Sequence, residues 1–294
     1  MIGTKILYYI IILPISVLPY FLLYRLSDFM YLLLYYVFGY RKKVIQGNIY
    51  KSFPDKSEKE KKKIVKKFYK HFCDLIVESI KNFTISEAQI KKRIVFENVE
   101  LLDDLYDRGK SIIIVGGHYG NWEMLAVAVG GATKHDQYGI YKPLSNTFFD
   151  NKMKMSRGKL GTKLVSMKET KKCFETDFEN PISIIFGSDQ WPSNAKRAFW
   201  TTFLGRETPF LFGAEKYAND FDRPAVYCDI IKTKRGHFKV RFKMLSETPK
   251  NLEYGELTNC FIKELEKTIR NEPAFWLWSH KRWKKTKKEV FDEK

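Results

Sequence analysis

The chain has 294 residues, 44% of them apolar, and a formal net charge of +18 from 52 basic and 34 acidic side chains. That length allows one large α/β domain or two small ones with a real core, and the charge favours an anionic partner: nucleic acid, anionic lipid or an acidic protein. Cys73, Cys173, Cys228 and Cys260 form no Cys-x-x-Cys pair and His71, His135, His237 and His280 lack ligand-like spacing, which argues against a disulfide scaffold and a metal site and for reduced, buried thiols.

Residues 6–24, ILYYIIILPISVLPYFLLY, carry no charge and match the roughly 20 residues that a membrane-spanning helix needs. Lys5 precedes them and Arg25 follows. A second apolar stretch, Phe29 to Tyr40, is short for a span and rich in tyrosine, a residue of the bilayer interface. Arg41, Lys42 and Lys43 come next. Aromatics, not a small-x-small cleavage site, follow the first stretch, so a cleaved signal peptide is disfavoured. Pro14 and Pro19 introduce kinks of a kind that membranes tolerate. The expectation is an uncleaved membrane anchor and interfacial helix over 1–43, with 44–294 on the cytoplasmic side of the membrane. In that setting the positive charge suits anionic head groups better than DNA. No helix-turn-helix, finger or RNA-binding signature is present, so no nucleic-acid partner is expected.

Ser57 and Glu60 form a capping box ahead of a helix whose apolar face runs through Ile64, Phe68, Phe72, Leu75 and Ile76. The lysine run Lys59 to Lys67 reads as its solvated face sooner than as a binding site, a preference that narrows beside a membrane anchor. From residue 94 strands and helices alternate. A helix over 98–108 stops at Gly109. SIIIVGG is a buried strand, NWEMLAVAVGGA a helix, QYGIYKP a strand and 144–159 a polar helix. KLVSM is a strand, 168–178 a helix, and PISIIFGSDQ a strand that ends in a loop. Thr208 and Pro209 read as N-cap and N1 of the next helix. PAVYCDIIK and HFKVRFKML flank TKRG as a hairpin, and 255–271 is the last helix. The predicted fold class is α/β, a mostly parallel central sheet with helices on both faces. In such sheets function gathers beyond the C-terminal strand ends, where both GGHYGNWE and GSDQW lie.

His118 and Glu123 in GGHYGNWE are five positions apart. On a continuous helix that spacing places them about 140° apart, so a contact requires His118 in the turn and Glu123 on the helix. Gly116, Gly117 and Gly120 permit such a turn. A carboxylate on one imidazole nitrogen fixes the tautomer and leaves the other as a base. Taken alone, His-x4-Glu is a weak pattern, and a polar turn without catalysis stays equally open.

Four ordered blocks add to it. HYGNWE resembles the first motif, His-x4-Asp/Glu, of the glycerolipid acyltransferase superfamily, and in particular the bacterial lipid A late acyltransferases. YKPLSNTFFDNKMKMSRGKLG is similar to that family's second block, with Tyr141, Lys142, Pro143, Asn146, Arg157 and Gly161. SDQWPSNAKRAFWTTFLGRETP is similar to the third, with Asp189, Gln190, Phe203, Leu204, Gly205, Thr208 and Pro209. EPAFWLWSHKRWK resembles the tail, with Pro273, Trp276, Trp278, His280, Arg282 and Trp283. Lys142 and Lys281 stand where the family usually has arginine; a lysine binds phosphate as a point charge and not as a fork, so the acceptor is open to difference.

The resemblance implies transfer of a fatty acyl chain from a thioester, on acyl carrier protein or coenzyme A, to a lipid hydroxyl, with a lipid A precursor as the default acceptor and no cofactor or metal. In that reading His118 is the general base, Glu123 orients and balances it, and no covalent acyl-enzyme forms. Arg157 and the amides of the glycine-rich turn are oxyanion donors. Asp189 and Gln190 close the site or position the donor. Gly117, Asn121 and Lys142 complete the substrate-binding candidates. Tyr119 and Trp122 either pack in the core or line the acyl groove. Trp276, Trp278 and Trp283 read as structural. Lys281, Arg282, Lys284, Lys285, Lys287 and Lys288 are a solvated tail or a seat for acidic carrier protein or lipid phosphates. The protein is expected to be monomeric. A hydrolase acting through the same base is the other enzymatic reading, although no Gly-x-Ser-x-Gly elbow is present; a non-enzymatic binding protein is the third.

Overall fold

Nine strands carry the architecture in the computed structural model, which describes residues 2–292. They are β1 (Ile94–Glu97), β2 (Ile112–Gly116), β3 (Asp136–Tyr141), β4 (Lys163–Ser166), β5 (Ile182–Gly187), β6 (Phe199–Phe203), β7 (Arg206–Phe210), β8 (Ala225–Lys234) and β9 (His237–Ser246). Seven form one sheet in the order β1-β9-β8-β2-β5-β3-β4, and β6 pairs with β7 alone. Every neighbour in the large sheet is parallel except the β8–β9 hairpin, which is antiparallel. The α/β class and the mostly parallel sheet agree with the sequence reading.

The centre of the sheet follows from its composition. Ile112, Ile113, Ile114 and Val115 of β2 are all buried. Successive side chains of a strand point to opposite faces. Ile113 and Val115 accordingly join a core that includes Phe68, Phe261 and Leu265, while Ile112 and Ile114 join another that includes Leu105, Met124 and Val127. Both faces are covered, as a parallel strand requires. The long helix Glu58–Lys81 starts at the expected capping box, with Ser57 Oγ accepting from Glu60 N–H and the Glu60 carboxylate accepting from Ser57 N–H at 2.8 Å.

Three expectations change. The chain over 206–210 is strand β7, and the next helix, Gly213–Phe221, begins later. Thr208 and Pro209 pair with Thr201 and Trp200 of β6 instead of capping a helix, and Trp283 Nε1–H and Arg282 Nη2–H bond Thr208 Oγ1 and Pro209 O. Tertiary bonds to the tail override the local helix signal. The stretch before residue 98 also holds an unpredicted strand, β1, paired with β9.

The third change concerns the N-terminus. Residues 6–24 do not form one helix. The apolar segments Gly3–Val17 and Tyr20–Val37 are bent by 118° at the break between them. Pro19 has no N–H and pushes Leu18 into an extended conformation, ψ 145°. The main body holds the break in place: Lys81 Nζ–H donates to Leu18 O at 2.9 Å and Thr84 Oγ1–H to Ser16 O. No single helix among the described residues is long and apolar enough to cross a membrane; only the bent pair together meets that test of length and composition.

The C-terminal segment is as firmly built in. Trp278 is fully buried, donates Nε1–H to Pro273 O at 2.6 Å and packs edge-on against Phe53. Asn48 donates to the carbonyls of both Trp278 and His280. Trp278→Ala should therefore destabilise the fold by about 3–5 kcal/mol, read as a lowered denaturation midpoint in detergent; an unchanged midpoint would contradict this packing.

Candidate active site

Strands β2 and β5 run parallel with Gly116 opposite Gly187. Residues two beyond each strand end therefore emerge side by side, and these are His118 and Asp189. A side chain at position 187 would collide with the imidazole: a Cβ there would lie 3.1 Å from His118 Cε1. A side chain at position 117 would crowd Leu265, since its Cβ would lie 2.7 Å from Leu265 Cδ1.

His118 Nδ1 lies 2.6 Å from Asp189 Oδ1. The other carboxylate oxygen accepts from His118 N–H at 2.9 Å and from Trp276 Nε1–H at 2.7 Å. Asp189 is 2% exposed, whereas the His118 side chain retains 23%. Burial works to raise the Asp189 pKa, but the neighbouring His118 charge and these donors outweigh it and hold the carboxyl down at about 2. Burial works to lower the His118 pKa; the Asp189 charge and hydrogen bond, helped by the field of Glu123, outweigh it and leave the imidazole above its ordinary 6.5. An ionised carboxylate only accepts, so Nδ1 carries the proton and Nε2 is the basic nitrogen of the neutral ring. Nε2 has no protein partner among the described residues.

Glu123 does not orient His118, contrary to expectation. Its carboxylate is held by Arg157, with Nη2 at 2.9 and 2.8 Å from its two oxygens and Nε at 3.2 Å from one of them. The i+5 spacing brings Glu123 near enough to act through its charge, while the bidentate fork of Arg157 wins the hydrogen bonds. Three of the turn amides are already engaged and do not serve as free oxyanion donors. His118 N–H is taken by Asp189, Tyr119 N–H by Gly117 O and Gly120 N–H by Phe275 O.

The remaining candidates divide. Asn121 is fully buried: it caps the helix Trp122–Ala128 by accepting from Met124 N–H, and donates to Glu78 Oε2 at 2.6 Å. It supports the turn from inside, shut off from solvent. Tyr119 is buried with its hydroxyl on Glu272 O, so it is core and not groove. Trp122 is partly exposed and meets the His118 ring edge-on at 5.3 Å. Asp189 is too enclosed to meet a donor directly. Lys142 is exposed beyond the end of β3, and Gln190 is partly exposed beside Asp189. Arg282 is fully buried over the Phe210 ring and does not belong to a solvated basic tail. Trp276, read as structural, bonds the site carboxylate directly. His280 supports the loop after Asp189, with Nε2 accepting from Trp191 N–H at 3.0 Å. No group of three or more His, Cys, Asp or Glu among the described residues is arranged to hold a metal ion.

The family model for bacterial lipid A biosynthesis acyltransferase matches residues 1–285. The chain belongs to that family. No individual curated protein matches the sequence. Membership makes the chain an acyl-transferring enzyme, and the four blocks picked out in the sequence supply the residues that converge here: the first brings His118 and Glu123, the second Arg157, the third Asp189 and the tail Trp276.

Replacing Asp189 with asparagine removes the charge that lifts the His118 pKa. Imidazole NMR should show that pKa fall below its wild-type value, and Gly187→Ala should perturb the same resonances by displacing the ring. A His118 pKa unmoved by Asp189→Asn would refute the pairing.

Proposed function

We propose that the chain transfers a fatty acyl group from a thioester, on acyl carrier protein, to a hydroxyl of a lipid A precursor at the inner membrane. The observation that supports this reading best is the buried Asp189–His118 pair with its unpartnered Nε2 at the C-terminal edge of a parallel sheet. Neutral His118 takes the proton of the acceptor hydroxyl through Nε2 as the oxygen attacks the thioester carbonyl carbon. Asp189 stays ionised and stabilises the imidazolium. The tetrahedral intermediate then expels the thiolate, and His118 returns the proton to sulfur. An ester and a free thiol result, with no covalent acyl-enzyme.

Arg157 is the oxyanion donor in this scheme. Nη1 is left over from its fork on Glu123, and the charges of both partners reach His118. Glu123 keeps Arg157 in place and adds to the field that favours imidazolium. Lys142 and Gln190, at neighbouring strand ends, contact the substrates. The bent apolar pair within residues 1–43 seats the enzyme on the cytoplasmic face of the bilayer, as a broken span or a re-entrant hairpin, and residues 44–294 form the catalytic domain. Met1 and residues 293–294, the outer ends of those two units, lie outside the described residues.

His118→Ala should lower acyl transfer by roughly 10³-fold or more while leaving the fold intact. Asp189→Ala should act in the same direction, and Glu123→Gln should be milder because no proton moves through it. Transfer is measured with acyl carrier protein thioesters in vitro, and by mass spectrometry of lipids from cells lacking the protein, where one lipid should lack an acyl chain. Full activity in His118→Ala would exclude this mechanism, and release of free fatty acid without acylated lipid would favour a hydrolase.

The pH profile carries a sign. The base must be neutral, so kcat/KM should rise with pH through an apparent pKa above 6.5, and Asp189→Asn should move that limb to lower pH. Stability runs the other way. The contribution of the raised His118 pKa is present below about 6.5 and lost as pH climbs through the folded-state value. That of the depressed Asp189 is present above about 4 and lost as pH falls toward 2.

A further inference from the structure

A groove of about 930 Å³ runs along the N-terminal half of the long helix, and it shares no residue with the His118 site. Tyr31 and Tyr36 of the N-terminal helix pair form one wall. Lys59, Lys62, Lys63, Lys66, Lys67 and Lys70 form the other, with Glu58 at the end. The positions 59, 63, 66 and 70 recur at helical spacing, so their ammonium groups make one continuous stripe about 16 Å long.

The charges are not spent inside the molecule. Lys67 meets Glu272 at 3.6 Å, and Lys70 lies over the Tyr31 ring at 5.4 Å. Glu58, the single carboxylate on the groove, already faces Lys61 at 3.8 Å. Lys59, Lys62, Lys63 and Lys66 are exposed and have no carboxylate partner among the described residues. Like charges three and four apart destabilise a helix, and an anion between them relieves that repulsion.

The opposite wall says what carries the anion. Tyr36 is 62% exposed and continues into Val37 and Phe38, also exposed, and Leu32 and Phe29 extend the same apolar surface. A ligand on the lysines thus has apolar surface directly beside it. Nucleic acid or an acidic protein would match the charge and leave those side chains in water. A phospholipid matches both: its phosphate meets the stripe and its acyl chains lie on the aromatic wall.

We propose that this groove binds a non-reacting anionic phospholipid, distinct from the acyl acceptor, which fixes how the long helix sits at the bilayer surface. The lysine face then lies at head-group level, and the exposed side chains of the helix pair enter the acyl region.

The test uses the purified full-length protein in detergent micelles, with retained lipid counted by native mass spectrometry. Wild type should retain dioleoyl phosphatidylglycerol in preference to dioleoyl phosphatidylcholine. Combining Lys59→Gln, Lys62→Gln, Lys63→Gln and Lys66→Gln should weaken the anionic lipid by about tenfold or more and leave the zwitterionic one unchanged. Tyr36→Ser, which leaves the charge alone, should weaken it too. Changing Lys284, Lys285, Lys287 and Lys288 to glutamine matches the net charge and should preserve the preference. Circular dichroism checks that each variant is folded. The proposal is overturned if the groove variant keeps the preference, if the control loses it equally, or if the groove lysines govern capture of acyl carrier protein and not of lipid. None of these readouts requires turnover, so they stand or fall apart from the acyl-transfer reading.

Discussion

One buried carboxylate joins three distant parts of the chain. Asp189 follows β5, bonds the backbone and ring of His118 after β2, and takes the indole N–H of Trp276 from the C-terminal segment. An ionised carboxylate this enclosed survives only when its oxygens are supplied with donors. Removing one partner of such a pair typically costs about 3–5 kcal/mol. The position of His118 is therefore enforced by the need to satisfy Asp189, and so is the closure of the tail over the turn.

The tail does more than donate one indole. Leu277 N–H bonds His118 O, Gly120 N–H bonds Phe275 O, and Tyr119 forms a bridge with Trp276. A five-residue turn rich in glycine would otherwise sample many conformations at high entropic cost. The C-terminal segment acts as an extra strand along it and takes up the Gly120 amide. The same segment is pinned from the far side by Asn48 and by Arg41, which donates to Ser279 O.

The architecture was legible where the signal is local. Continuous apolar runs bounded by glycine marked β2 and β5, and TKRG marked the β8–β9 hairpin. The histidine stood out by its place at a strand end. Its partner did not, because Asp189 is 71 residues away and meets it only through the adjacency of β2 and β5, which no periodicity encodes. The i+5 glutamate was the nearer candidate on the page, and the competing guanidinium of Arg157 lay 34 residues further on. SDQW after an apolar strand was the available clue. Thr208–Pro209 misled because a good cap signal also suits an edge strand, where proline's missing N–H costs little. Pro19 was visible as a kink, but a hydropathy window averages across it and hides a break of 118°.

The long helix explains why that break and the site turn are parts of one structure. His71, Asp74 and Glu78 lie at i, i+3 and i+7 on its buried face. His71 Nε2 faces Gly120 O at 3.0 Å, and burial holds its pKa well below 6.5, with Lys232 adding to the effect. Neutral His71 therefore carries its proton on Nε2 and donates to the turn. Glu78 accepts from Asn121 on one oxygen and from Tyr24 of the N-terminal pair on the other, and burial raises its pKa to about 7. Asp74 accepts from Ser27 and from Arg235, which also reaches Asp28. Lifting the N-terminal pair away would strip Tyr24 and Ser27 from two buried carboxyls whose other donors belong to the turn and the hairpin. The apolar helices are thus coupled to the His118 turn by desolvated polar bonds on a single helix face, and apolar packing alone would not impose that register.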